Sequence, residues 1–247
     1  MRRLIIPAIA AIIAFAILMG LGTWQMQRLA WKEALIAKID ARIVAEPVDI
    51  NTALMRFNAG EDIEYTRITV AGTYDHAKEL HVFQVGDAGP GWHIYTPLEL
   101  ESGATVIVNR GYVPLARKEA ESRADSQPEG RVQIAGLLRG QSEKGLFGND
   151  NDPMANEWYW RDVVGMAQAM GLDEPPIAQA EMPTVPFTYP FVIDAEAGGD
   201  PGDIPEDGTT IIELSNRHFG YALTWYGLGG TLVLVAGPFL WRRWRQA

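Results

Sequence analysis

A histidine at the start of an apolar segment is the side chain of this sequence best placed to do chemistry. His218 directly precedes residues 219–241, which are 23 residues without a formal charge. As a helix this segment would be about 34 Å long, enough to cross a bilayer. An ionisable group at a membrane face is poorly solvated unless it has a partner. His218 is therefore the first candidate site residue, and a side chain hydrogen-bonded to a lipid headgroup is the plainer alternative.

The other three histidines lie in the middle of the chain, at His76, His81 and His93. No Gly-x-Ser-x-Gly elbow, phosphate-binding loop or His-Glu-x-x-His helix accompanies them. The spacing from His76 to His81 suits neither one helix face nor one strand face. We predict that they are structural side chains on the surface or on strands, and that the protein is not an enzyme.

The chain contains no cysteine, which excludes several kinds of chemistry. Copper transfer through thiolates, CxxC redox exchange and covalent attachment of c-type haem all require that side chain. Any metal must therefore be bound through histidine, methionine or oxygen. A middle region of about 195 residues can bury a core without disulfide bonds.

A second apolar segment, residues 4–22, lies near the other end of the chain. Its 19 uncharged residues would form a helix of about 28 Å, which also spans a bilayer. The alternative is a cleaved signal peptide, because residues 14–16, Ala-Phe-Ala, resemble a cleavage site. Cleavage there would give the signal peptide an apolar core of only about ten residues. We predict an uncleaved anchor.

Positive charge predicts how the two spans are oriented. Arg242, Arg243 and Arg245 follow the second span, and Lys and Arg are enriched on the cytoplasmic side of membranes. Two spans place both termini on one side, so we predict cytoplasmic termini and an extracytoplasmic middle region. The predicted parts are an N-terminal transmembrane helix at 1–22, a helical stalk at 23–46, a β-rich domain at 47–217, a C-terminal transmembrane helix at 218–241 and a cytoplasmic basic tail at 242–247.

Short strands bounded by turn residues characterise the middle region. We predict strands at 65–74, 79–85, 92–100, 105–113, 132–138, 158–161, 187–193 and 209–214, and short helices at 116–123 and 163–170. Asn109, Arg110 and residues 158–160 are predicted as turn or core side chains. The predicted fold is a membrane protein with two transmembrane helices flanking an extracytoplasmic α+β domain dominated by an antiparallel sheet or small barrel.

The middle region is strongly acidic. Without the five arginines near the termini, the chain has 16 basic and 31 acidic side chains, a formal net charge of −15. Nucleic acid and anionic headgroups are therefore not expected partners, although membrane lipid must surround the two spans. Residues 194–207 hold six of the acids but lack the closing Glu of an EF-hand, so we predict a solvated hairpin loop rather than a calcium site.

Five strings, in order along nearly the whole chain, resemble the Surfeit-locus-one family of cytochrome oxidase assembly proteins. They are WQMQRLAWK at 24–32, GWHIYTPL at 91–98, NRGYVP at 109–114, NDPMANEWYWRD at 151–162 and NRHFGYALTWY at 216–226. The resemblance implies a role in building haem-copper terminal oxidases, by holding haem a transiently while it enters the catalytic subunit. It implies oxidase subunit I as a partner, with haem a synthase as a further candidate. For a bacterial member it implies the inner membrane and a periplasmic domain.

The resemblance also gives His218 a role, because bacterial members are thought to use the histidine of the second span as an axial ligand of haem iron. Neutral imidazole is a normal haem ligand. Tyr221 and Trp225 share its helix face and could contact the haem ring. Arg28 and Arg217 could form ion pairs with the haem propionates. As an alternative to a haem site, the aromatic residues form the belts usual at membrane interfaces, and the glycines only let the two spans pack. The alternative function is a scaffold that holds subunit I without haem. A lipid-directed enzyme is a distant third class.

Overall fold

The computed structural model describes residues 2–86, 89–175, 183–198, 204–208 and 216–246. The chain divides into two units. One contains residues 1–40 and 212–247, and the other contains residues 41–211.

Two long helices make up the first unit. Helix α1 runs without a break over Arg2–Ile43, and α4 covers His218–Arg245. Both are long and apolar enough to cross a membrane. Their apolar side chains point outward rather than into a core, as Ile6 and Leu234 show with 77% and 76% exposure. Apolar surface facing outward on all sides is what a helix in lipid requires.

Small residues let α1 and α4 pack side by side. A Cβ on Gly22 would lie 2.6 Å from the ring of Tyr226, and a Cβ on Gly229 would clash with Met19. The Tyr226 hydroxyl also lies 3.2 Å from Thr23 Oγ1. Because Met19 lies beside Gly229 and Gly22 beside Tyr226, the helices run antiparallel. Close packing through glycine is the usual way that membrane helices associate.

The second unit is a small barrel with one additional strand. Its strands are β1 (Arg67–Tyr74), β2 (Leu80–Gly86), β3 (Gly89–Leu100), β4 (Thr105–Pro114), β5 (Arg131–Arg139) and β6 (Thr188–Ala195). The sheet order is β1-β5-β6-β4-β3-β2, and β1 also pairs with the end of β3, with Gly72 opposite Leu100. Five strands therefore close into a ring, and β2 extends it alongside β3.

Only β4 and β6 pair in parallel; the other pairs are antiparallel. Without β2, the ring order and the single parallel pair are those of the five-stranded Greek-key barrel called the OB-fold. The predicted two-helix membrane protein with a β-rich domain is thus confirmed. The domain is a barrel, and six predicted strands agree with the structure within two or three residues at each end.

Helix α2 (Ile50–Asn58) covers part of the barrel core, and the sequence analysis missed it. Asp49 caps it, since its Oδ1 accepts hydrogen bonds from the backbone amides of Asn51 and Thr52 at 2.9 Å and 3.3 Å. Leu54 is fully buried, and Phe57 meets Phe191 edge to face at 6.1 Å between ring centroids. Apolar side chains at steps of three and four after an N-cap aspartate were the available signal.

A second cluster of buried side chains forms where helix α3 (Val163–Ala169) packs against residues of β2, β3, β4 and β6. This confirms the helix predicted at 163–170. The strand predicted at 158–161 was wrong, because Trp158 makes only a single bridge to Val82 before the chain turns away. Its indole is fully buried, so the apolar pattern there reflects packing rather than a strand.

Of three further predicted segments, two differ from the structure and one lies outside the described residues. The helix predicted at 116–123 is a pair of 3₁₀ turns, Leu115–Arg117 and Ala120–Ser126, interrupted by the non-helical φ of Arg123. Asp194 belongs to β6 and is 4% exposed, so it is not part of a solvated loop; it accepts a hydrogen bond from Asn109 Nδ2 at 2.9 Å. The strand predicted at 209–214 lies outside the described residues.

Candidate functional site

His218 is the first residue of α4, and its ring is held by a side chain of α1. The imidazole Nδ1 lies 2.7 Å from Gln25 Oε1, and both side chains are partly buried. An amide oxygen only accepts, so Nδ1 carries a proton, and in the neutral ring Nε2 then carries the lone pair. Among the described residues no side chain donates a hydrogen bond to Nε2. The contact with Gln25 therefore orients the ring, and Nε2 of the neutral form can bind an electron-pair acceptor.

The aromatic residues of the predicted site lie on the same side of α4 as His218, since they follow it at helical steps. Tyr221 is 54% exposed, and Trp225 is partly buried. The small residues that also share this side behave differently. Ala222 is buried and Gly229 packs against Met19, so the space beside them is occupied by α1. A flat ligand would therefore lie on the flank of the helix pair, against the aromatics, and not between the helices.

Both predicted arginine partners are exposed at the same end of the helix pair. Arg28 stacks on Trp31, with its guanidinium carbon 3.9 Å from the ring centroid. Stacking leaves the N–H groups at the edge of the guanidinium available to an anion. Arg217 precedes the first residue of α4 and lies at the helix N-terminus. In the part of the chain that the structure describes, neither arginine forms an ion pair.

The described barrel histidines offer no accessible coordinating nitrogen, since His81 and His93 are each 5% exposed and both ring nitrogens of His76 have partners. His93 Nδ1 accepts a hydrogen bond from Asn109 Nδ2 at 3.2 Å, and the same amide donates to Asp194. Burial lowers the pKa of His93, against the opposing effects of Asp194 and Asn109. His93 is therefore a buried neutral side chain, in agreement with the prediction of a structural histidine on a strand.

His81 belongs to a buried ionic cluster that the sequence analysis did not predict. Its Nε2 lies 3.0 Å from Glu79 Oε1, and Arg123 Nη2 donates to the same oxygen. Burial opposes ionisation of Glu79, but the hydrogen bonds from His81 and Arg123 outweigh it and lower the pKa of Glu79. Glu79 and Arg123 are 44 positions apart, so no local pattern could have paired them.

Within the described ranges, no three His, Asp or Glu side chains converge as a metal cluster would require. An iron atom already held by a macrocycle needs only one or two protein ligands. A single oriented histidine such as His218 is sufficient for that kind of site.

Comparison with known proteins agrees with this layout. A family model described as the SURF1 family matches residues 12–230, from within α1 to within α4. Surfeit locus protein 1 of Mus musculus is 34% identical, over 96% of this chain and 72% of its own length. The Homo sapiens protein is 32% identical over 90% and 72%, and a SURF1-like protein of Monosiga brevicollis is 34% identical over 91% and 83%. The chain therefore belongs to the SURF1 family, which is known as a family of cytochrome oxidase assembly proteins.

Proposed function

We propose that this protein is a non-enzymatic assembly factor for haem-copper terminal oxidases. In this proposal it binds haem a transiently through His218 and assists its insertion into the catalytic subunit, oxidase subunit I. It would act from the bacterial inner membrane, with both termini cytoplasmic and the barrel periplasmic. Haem a synthase is a candidate source of the haem.

The observation that carries the proposal is the hydrogen bond between His218 and Gln25. Ligating histidines almost always donate their second ring nitrogen to an oxygen, which fixes the tautomer and the orientation of the ring. The 2.7 Å contact supplies that donation from a residue on the other long helix. A haem a iron would supply the Lewis-acidic centre for Nε2.

The surroundings of His218 suit the other parts of such a ligand. Tyr221 and Trp225 offer aromatic surface on the same flank, where an apolar macrocycle would lose contact with water. Arg28 and Arg217 offer guanidinium groups for the two propionates. A flank that faces lipid would also give a farnesyl tail an apolar environment.

The test is a pigment assay on the full chain, produced in cells with and without the enzymes of haem a synthesis. Wild-type protein purified in detergent is expected to carry a haem a absorption spectrum only from the first host. His218→Ala should carry at least about tenfold less haem. Loss of a side chain that only hydrogen-bonds to a metal ligand already lowers metal affinity about 10- to 100-fold. Thr224→Ala is the matched control, because the Thr224 hydroxyl bonds only its own helix, at Gly220 O.

Equal haem content and identical spectra in wild type and His218→Ala would contradict the ligand assignment.

A scaffold that holds subunit I without haem is the second candidate. It is favoured by three apolar side chains on one long loop of the barrel unit, Leu146, Phe147 and Met154, which are 91% to 96% exposed. Exposed apolar side chains of this size are typical of protein contact surfaces. Protein that is free of haem in a host that makes haem a, yet co-purifies with subunit I, would support the scaffold instead.

A further inference from the structure

A cavity of about 580 Å³ lies on the side of the barrel unit and contains an unusual concentration of arginine. It is bordered by the ends of β1, β4 and β6, by β5, by the 3₁₀ segment and by residues 204–207. Its lining residues are Tyr74, Arg110, Arg117, Arg123, Asp125, Ser126, Pro128, Ile134, Ala195, Ile204, Pro205 and Asp207. Three arginines in one cavity of an acidic domain require an explanation.

Arg110 is the central observation, because it is a buried cation that forms no ion pair among the described residues. It is 8% exposed, its Nη1 lies 3.3 Å from His76 Nδ1, and its Nη2 donates to the carbonyl of Ser126. Its guanidinium carbon lies 5.2 Å from the ring centroid of Tyr74. No described carboxylate forms an ion pair with it, and burial lowers its pKa. A buried guanidinium that is not paired is strongly unfavourable.

Arg123 adds a second unsatisfied group to the same wall. It is 2% exposed, and its Nη1 has no hydrogen-bond acceptor among the described residues. Its Nη2 is paired with Glu79, which also accepts from His81. Glu79 also attracts Arg110 at longer range, so the buried charges of Arg123 and Arg110 share one described carboxylate.

Neither of the two acids that line the cavity forms a described ion pair with Arg110. Asp125 is exposed at the rim, as is Arg117. Asp207 is half-buried, and its Oδ2 accepts a hydrogen bond from the amide of Gly198 at 2.9 Å. The charged side chains of the wall that are fully buried, Arg110 and Arg123, are thus positive.

We propose that this cavity is a binding site for an organic oxyanion, a carboxylate or phosphate group carried on a small apolar body. Arg110 binds the anionic group, with Arg117 at the rim, because guanidinium matches both oxyanions in geometry and charge. Tyr74, Ile134 and Ile204 contact the apolar body. Volumes of 300–1,000 Å³ are usual for small-molecule sites. The site is in a different unit from His218, so it does not depend on haem binding.

Binding is tested with the full chain in detergent, produced in a host without haem a, using phenyl phosphate, benzoate and the neutral benzyl alcohol as probes. Either or both oxyanions should raise the Tm by about 4 °C or more at saturation, while benzyl alcohol should leave it unchanged. Comparing the affinities of phenyl phosphate and benzoate shows whether the site prefers a phosphate or a carboxylate group. Inorganic phosphate should bind more weakly than phenyl phosphate, since it lacks the apolar body.

Two variants and one control localise the effect. Arg110→Gln should weaken binding at least about tenfold, because a hydrogen bond to a charged group is lost. Ile134→Trp fills the cavity from β5 without altering an arginine, and should also abolish the shift. Arg131→Gln changes an exposed β5 arginine outside the cavity and should bind like wild type.

The proposal is overturned if neither oxyanion binds, if benzyl alcohol binds equally well, or if Ile134→Trp binds like wild type. If Arg110→Gln fails to fold, Ile134→Trp and the neutral probe still decide the matter.

Discussion

The long-helix unit and the barrel unit use the same side chain in opposite ways. In the helix unit, His218 is held by one hydrogen bond through Nδ1 and keeps Nε2 free of described partners. In the barrel, His81 and His93 are each 5% exposed, and one ring nitrogen of each contacts Glu79 or Asn109. A histidine buried in a fold is closed to a ligand, whereas one that is oriented by a neighbour and partly exposed can bind one. The predictions below test that difference.

The largest effect is expected from Glu79→Gln. The change removes the only described carboxylate paired with the fully buried Arg123. Breaking a buried pair from one side leaves an uncompensated charge, which costs about 3–5 kcal/mol. We expect the free energy of unfolding of the barrel unit to fall by that amount, measured by urea denaturation monitored by tryptophan fluorescence.

Glu157→Gln provides the control, since Glu157 pairs with Lys118 at 3.0 Å in a more exposed setting. Its cost should stay below about 1 kcal/mol. Equal losses in the two variants would mean that the Glu79 cluster does not stabilise the barrel as described.

A smaller effect, on binding rather than on folding, is expected from Gln25→Leu. The substitution keeps much of the side-chain volume but removes the oxygen that orients His218. Loss of such a partner costs about 10- to 100-fold in affinity. Haem a affinity should fall by that factor while the urea midpoint of the barrel stays unchanged. Gln25→Glu retains an acceptor for Nδ1–H and should bind nearly as well as wild type; if it binds as poorly as Gln25→Leu, orientation by this hydrogen bond is not the cause.

The sequence was informative where structure follows local pattern. Short runs rich in apolar residues and bounded by turn residues predicted strands such as β4 nearly to the residue, because β4 is buried on both faces at eight successive positions. Helix α2 was missed although Asp49, Ile50, Ala53 and Leu54 carry a cap and a helical spacing.

The candidate site was predictable only in part. His218 could be found because its position beside an apolar run is local. Its contact with Gln25 joins residues 193 positions apart and depends on how two helices are paired in register. The same holds for Arg110, which was predicted as a turn or core side chain. That it is buried without a described ion pair depends on several segments of the barrel that are distant in sequence. Long-range pairing of this kind leaves no pattern in a single sequence.

The smallest expected effect is the pH dependence contributed by His93. Because burial lowers the pKa of His93 in the folded protein, the unfolded chain binds this proton first as the pH falls. The barrel should therefore lose stability below the ordinary histidine pKa of 6.5, with a slope of at most about 1.4 kcal/mol per pH unit until the folded pKa is reached. Glu79, whose pKa is also lowered in the folded state, adds a loss of the same sign only below its ordinary value of 4.5.

His93→Asn separates the two contributions, since its Oδ1 can accept from Asn109 in place of Nδ1 but does not titrate near neutral pH. Urea midpoints of this variant should vary less between pH 7 and 5 than those of wild type, and the two should fall in parallel below pH 4.5. His218→Ala should follow the wild-type curve throughout, because His218 is not part of the barrel. A variant curve as steep as wild type between pH 7 and 5 would show that His93 is not held neutral by the fold, and would remove the contrast between the two kinds of histidine.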